Sequence, residues 1–155
     1  MDEIEEFDKL KTQVLKYVLY KKRSEAEIRQ KFSKNAGKML DNVVQYLQEN
    51  NYINDDLYIE KTVNEFQRLK NMSIREIEYK LLSKGIDKNK IENYIYNNKE
   101  ELTEYELNSA KNIVIKKQNQ LEKEDIIIYL KKKGYTSETI RMIEEWWEEI
   151  RWTTY

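Results

Sequence analysis

The chain has 155 residues, a formal net charge of −1, no cysteine, no histidine, no proline and only three glycines. Those absences exclude zinc fingers, thiolate or imidazole metal sites, Cys–His and Ser–His nucleophiles and any disulfide framework. With so few breakers and an abundance of helix formers, the chain reads as all-helical, and its length suits one ordinary domain or a short array of small units.

Apolar residues recur in chain order at helical spacing. Leu10, Val14, Tyr17 and Val18 mark a first helix, Ile28 and Phe32 a second, and Leu40, Val43, Val44 and Leu47 a third. The triplet returns with Ile59, Val63 and Phe66, then Ile77 and Leu81, then Ile91, Tyr94 and Ile95. It returns again with Leu107, Ala110, Ile113 and Val114, then Ile126 and Leu130, then Ile140, Ile143, Trp147 and Ile150.

Beneath this lies a repeat of 49 residues. Shifting backward places Ser73, Glu76, Ile77, Lys80 and Leu81 over Ser24, Glu27, Ile28, Lys31 and Phe32. Shifting forward places Glu76, Ile77, Leu81, Lys84 and Gly85 over Asp125, Ile126, Leu130, Lys133 and Gly134, and Phe66 over Ile115. A constant period with matched chemistry indicates tandem units that stack on one another to cover their apolar faces. The expected organisation is three consecutive three-helix repeats, nine helices in all, over residues 1–52, 53–100 and 101–155.

The punctuation agrees. Ser24 with Glu27, and Ser73 with Glu76, have the spacing of capping boxes at the start of each second helix. Gly85 and Gly134 fall at the left-handed position that ends it, each preceded by a lysine. Asp55, Asp87 and Thr136 are expected N-caps.

Little points to catalysis. Gly37-Lys38 lacks the remaining residues of a phosphate loop, because Phe32 and Met39 stand where glycine and Ser or Thr are needed. Asn54-Asp55-Asp56 lacks the spaced oxygens of a calcium loop and reads as a helix start. Glu144-Glu145 and Glu148-Glu149 have no histidine or lysine beside them to set up acid–base work. No metal or cofactor is expected. The longest strongly apolar stretch, Ile126–Leu130, is far below the roughly 20 residues a bilayer requires, and the acidic start is unlike a signal peptide, so a cytoplasmic protein is expected.

The charge map is uneven. Residues 1–8 hold five acids and no base, residues 16–38 eight bases against two acids, and residues 111–133 seven bases against three acids. Residues 138–149 return to five acids against Arg141. Segregated charge suits a polyanion or a charged protein surface, although single charge runs often serve only solubility. Arg23, Arg29, Arg68, Arg75 and Lys80 stand near the first or second helices, where a stacked array would line them up as a ladder along a helical polyanion. Lys31, Lys84, Lys131 and Lys132 join them as candidate contacts. Of the C-terminal aromatics, Trp147 shares the core stripe, while Trp146, Trp152 and Tyr155 either cap the array or dock a partner. The alternative is a helical DNA-binding module whose third helices enter the major groove, against which the acidity of 136–150 argues.

Ser24 through Phe32, Val44 through Leu47 leading into Tyr52-Ile53-Asn54-Asp55-Asp56-Leu57-Tyr58, and Ser73 through Ile86 together resemble the RecX family of recombination regulators, over about residues 10–150. The resemblance is most specific at Tyr52–Tyr58 and Ser73–Ile86. It implies an elongated, curved array of three three-helix repeats that binds the groove of a RecA–DNA filament and bridges its protomers. It further implies a non-enzymatic, monomeric modulator that suppresses ATP hydrolysis and strand exchange or promotes filament disassembly in DNA repair. The first repeat departs from the pattern, with Asn35-Ala36-Gly37 in place of Lys-Gly-Ile. Some relatives carry an N-terminal extension, whereas only a few acidic residues precede Phe7 here.

Overall fold

The computed structural model describes residues 2–153, with side chains through residue 150. Among them are nine α-helices, one short 3-10 turn and no strand. They are α1 (Glu3–Tyr20), α2 (Glu25–Lys31), α3 (Lys38–Glu49), α4 (Asp55–Leu69), α5 (Ile74–Ser83), α6 (Lys88–Asn97), α7 (Lys99–Lys117), α8 (Lys123–Lys133) and α9 (Ser137–Thr153).

The starts are set by local hydrogen bonds that satisfy orphan amides. Ser24 and Ser73 each form a complete capping box with the glutamate three residues on. Asp87 accepts from the amide of Asn89, and Thr136 Oγ1 accepts from that of Thr139. The expectation for Asp55 is corrected. Asn54 caps α4 by accepting from the Leu57 amide, which leaves the Asp55 carboxylate free for a partner in another unit. Gly85 and Gly134 close α5 and α8 at φ +79° and +93°, a region that costs a residue with a Cβ roughly 1–2 kcal/mol.

The three helix triplets hold three separate hydrophobic cores. The first gathers Leu10, Val14, Val18, Ile28, Leu40, Val43, Val44, Leu47 and Ile53. A second is built on Ile59, Val63, Ile77, Leu81, Ile86 and Ile91, and the third on Val114, Ile126, Leu130, Ile140 and Ile143. Each such side chain, fully buried, is worth about 1.5–3 kcal/mol. Side chains cross the limits read from sequence: Ile53 packs into the first core, and Leu102 and Tyr105 of α7 pack into the second. Helix α7 therefore serves two cores, its beginning the second and its later turns the third.

Two apolar positions differ from the expected stripes. Ile150 lies exposed near the end of α9, and Ile115 points outward on α7. Trp146 and Trp147 both pack against the third core, so the capping role holds for Trp146; the side chain of Trp152 and all of Tyr155 lie outside the described residues. The accessible surface, 10695 Å², compares with roughly 8,400 Å² for a compact monomer of 19.0 kDa. That excess is what an open array of three small cores gives.

Candidate functional site

The units are joined by their second helices, end to end. Ser24 Oγ, already accepting from the Glu27 amide, donates to the Lys84 carbonyl at 2.5 Å, and Ser73 Oγ donates to the Lys133 carbonyl at 2.7 Å. Lys84 Nζ lies 4.0 Å from the Glu27 carboxylate, and Lys133 Nζ 3.7 Å from that of Glu76. A Cβ on Gly85 would sit 2.2 Å from Ala26 Cβ, and one on Gly134 2.9 Å from Arg75 Cδ. Every member of the first set becomes its counterpart in the second by adding 49. The C-terminus of α8 thus meets the N-terminus of α5, and the C-terminus of α5 meets the N-terminus of α2, so the helix dipoles follow head to tail.

The repeat fades at both ends of the described residues. Ala36 stands where Gly85 and Gly134 would predict glycine, and its φ of −55° needs none. Glu122 stands in the place of Ser24 and Ser73 and makes no side-chain cap.

An acid from the following unit completes each junction. Asp55 Oδ1 accepts from the Glu25 amide at 3.0 Å, and Glu106 Oε1 from the Ile74 amide at 3.2 Å. Burial raises the Asp55 carboxyl above its ordinary range, partly opposed by that amide. Glu106 is only 1% exposed and also accepts from Thr136 Oγ1 and, at 2.6 Å, from Thr139 Oγ1.

Beyond these shared parts the junctions diverge. In the second, Tyr105 Oη and Ser109 Oγ both donate to the Met72 carbonyl, Ser109 pairs with Tyr135 Oη at 2.7 Å, and Asn112 and Lys133 hold the Lys70 and Asn71 carbonyls. Burial raises the pKa of the Tyr135 phenol. The first junction adds a half-exposed Lys22–Glu65 pair at 3.0 Å, the Lys22 ammonium over the Tyr58 ring, and the Tyr58 phenol facing Glu27, with burial again raising the phenol's pKa.

The candidate cations do not form one ladder of equivalent positions. Among the nine, only Lys31 and Lys80 are related by the repeat. Arg29 is held by Asp41 at 2.6 Å and by Glu25 at 3.7 Å, and Lys84 belongs to the first junction. Arg23 and Lys31 both lie over the Tyr17 ring, at 4.0 and 5.8 Å from its centroid. Arg75 and Lys131 line a common groove between the second and third units, walled also by Glu78, Glu92 and Glu138. Burial, with Glu92 beside it, raises the Glu78 carboxyl. Arg68, Lys80, Lys131 and Lys132 are exposed and make no described ion pair.

No group of side chains able to hold a metal ion occurs among the described residues, and no described helix is long and apolar enough to cross a membrane. The sequence matches no family model and no curated protein. Its fold does match solved structures. The crystal structure of RecX from Lactobacillus salivarius superposes with a TM-score of 0.77 at 20% identity, covering 92% of this chain and 96% of that one. A crystal structure of regulatory protein RecX gives 0.78 at 21% identity, covering 94% and 80%. The chain has the RecX fold. Within that fold the residues that sequence reasoning missed are the cross-unit partners: Asp55, read as a cap, and Glu106, not singled out. These two lie 51 residues apart, not 49, so the repeat does not superpose them.

Proposed function

We propose that the protein is a RecX-family regulator, non-enzymatic and monomeric in the cytoplasm, that lies in the groove of a RecA–DNA filament. There it modulates, chiefly by inhibiting, the ATPase, recombinase and strand-exchange activities of RecA in DNA repair and recombination. The observation that carries this reading is the correspondence of the whole three-unit array to RecX structures over more than nine-tenths of the chain. An open array with separated cores presents a long surface for its mass, which suits contact with several protomers of a helical polymer at once. Arg68, Lys80, Lys131 and Lys132 are free to meet carboxylates or phosphates, and their contribution will weaken with salt as the Debye length falls below about 10 Å.

The test is co-sedimentation with RecA nucleoprotein filaments beside naked DNA, with filament ATPase and strand exchange measured across a range of protein concentrations. The reading predicts sedimentation with the filament and a falling ATPase rate. Unchanged ATPase and strand exchange at low salt, with no co-sedimentation, would refute it.

A further inference from the structure

The two junctions place the same architectural position under different chemistry. In the second, the segment before the capping serine, residues 70–72, is closed against α7 by Asn112, Tyr105 and Ser109. In the first, the corresponding segment is Lys21-Lys22-Arg23, and the α4 residues matching Ser109 and Asn112 at the 51-residue separation of Asp55 and Glu106 are Tyr58 and Lys61. In place of those hydrogen bonds the segment is tied to α4 by the Lys22–Glu65 pair, and a cleft of about 280 Å³ remains beside it. Lys22, Arg23 and Lys61 line it; the Lys22 ammonium is buried and paired with Glu65 at 3.0 Å, which leaves Arg23 and Lys61 as the lining cations with no described ion pair.

We infer that this cleft between the first and second units is a binding site for a single nucleic-acid strand, with a backbone phosphate held by Arg23 and Lys61 and a base stacked on Tyr52. The assignment rests on the filament reading, since the strand it takes is the one a recombinase filament carries. Three features specify the ligand. Arg23 is braced against the Tyr17 ring at 4.0 Å, so little rotamer freedom is lost when its guanidinium meets a phosphate. Asn54 spends its side-chain oxygen on the Leu57 amide, which leaves its amide nitrogen as a further donor in the cleft lining. Leu19, Tyr52 and Leu57 lie exposed around the same opening, at 66%, 45% and 41%. A duplex hides its bases in the stack, whereas a single strand offers phosphate and flat apolar faces together, and this combination of cations with an exposed aromatic matches it.

The experiment measures binding of the full chain to fluorescein-labelled oligothymidylate and to a duplex of equal length by anisotropy across a salt series. Wild type is compared with Lys61→Glu, Tyr52→Ala and the distant charge control Lys9→Glu, all at exposed positions and checked for helicity by circular dichroism. Wild type should prefer the single strand. Tyr52→Ala should weaken it roughly 5- to 150-fold, as loss of one stacked base does. Lys61→Glu should weaken it and lower the salt slope by about 0.7, one phosphate contact. Lys9→Glu should match wild type. Equal losses in all three variants, a preference for duplex, or displacement by an acidic peptide but not by unlabelled oligothymidylate would overturn the assignment. Co-sedimentation separates the two readings. Wild type that sediments with RecA filaments, while Lys61→Glu and Tyr52→Ala bind oligothymidylate normally, removes the cleft and leaves the filament role. Wild type that ignores filaments, yet needs Lys61 and Tyr52 for the single strand, removes the filament role and leaves the cleft.

Discussion

The first and second junctions share one design and differ in what surrounds it. Both use a capping serine that donates onward to a carbonyl of the next unit, a lysine paired with the capping glutamate, a left-handed glycine at close approach and an acid on a first-turn amide of the second helix. The second junction adds a helix that spans two cores and a buried polar network around Glu106, Ser109, Tyr105 and Tyr135. The first adds cations and an open cleft. The array therefore consists of a firmly joined pair, the second and third units, carrying a first unit on a polar seam. Satisfied buried networks fix one geometry, whereas exposed polar contacts are each worth little and can exchange with water.

The largest expected effect comes from breaking the buried network. Glu106→Ala leaves the Ile74 amide and two threonine hydroxyls without their acceptor, and should lower the unfolding free energy in urea by about 3 kcal/mol or more. Asp55→Ala, its counterpart, removes one part-buried bond and should cost only about 1 kcal/mol. Equal losses would erase the distinction between the junctions.

Next are the glycines. Gly85→Ala combines a positive φ with a collision against the Cβ of Ala26, which is short and fixed to the backbone, whereas Gly134→Ala meets the flexible side chain of Arg75. Both should destabilise, by roughly 1–2 kcal/mol from the backbone alone, with Gly85→Ala the worse. A milder Gly85 variant in thermal melts would show that the first seam gives way instead of resisting.

Ser24→Ala and Ser73→Ala should each cost about 1–2 kcal/mol, since one hydroxyl both caps its helix and bonds the next unit. The smallest effect is expected for Asp55→Asn, within about 0.5 kcal/mol at neutral pH, because an acceptor remains while the buried charge is removed. The sign with pH follows from burial. A carboxyl whose folded pKa is raised binds its proton more tightly in the folded chain than in the unfolded one. Its contribution is then present at low pH and lost as pH rises through the carboxylate range. Asp55→Asn should remove that decline, which pH-dependent urea midpoints would reveal.

The sequence made the period legible because the junction residues repeat most faithfully: Ser24 and Ser73, Glu27 and Glu76, Lys84 and Lys133, Gly85 and Gly134. Local rules explained them as caps, and they are caps. Their second role was hidden, since periodicity reveals which residues are equivalent without naming what each touches across a boundary. Asp55 shows the same limit. Three consecutive side chains could cap α4, and what decides among them is the Glu25 amide, 30 residues away in sequence. Glu106 escaped notice because it lies in a helix rich in acids, and because its 51-residue separation from Asp55 falls outside the 49-residue register. Net charge along the chain was equally blind to pairing. Arg29 and Lys84 read as free cations until Asp41 and Glu27 are brought beside them by α3 and by the first junction.

Native-state hydrogen exchange at increasing urea tests the asymmetry of the array most directly. Amides of α1–α3 should open together in a transition of their own, at lower free energy than α4–α9, which should exchange as one unit because α7 binds its two cores together. Exchange of all nine helices in a single opening, or of α7–α9 separately from α4–α6, would contradict the account.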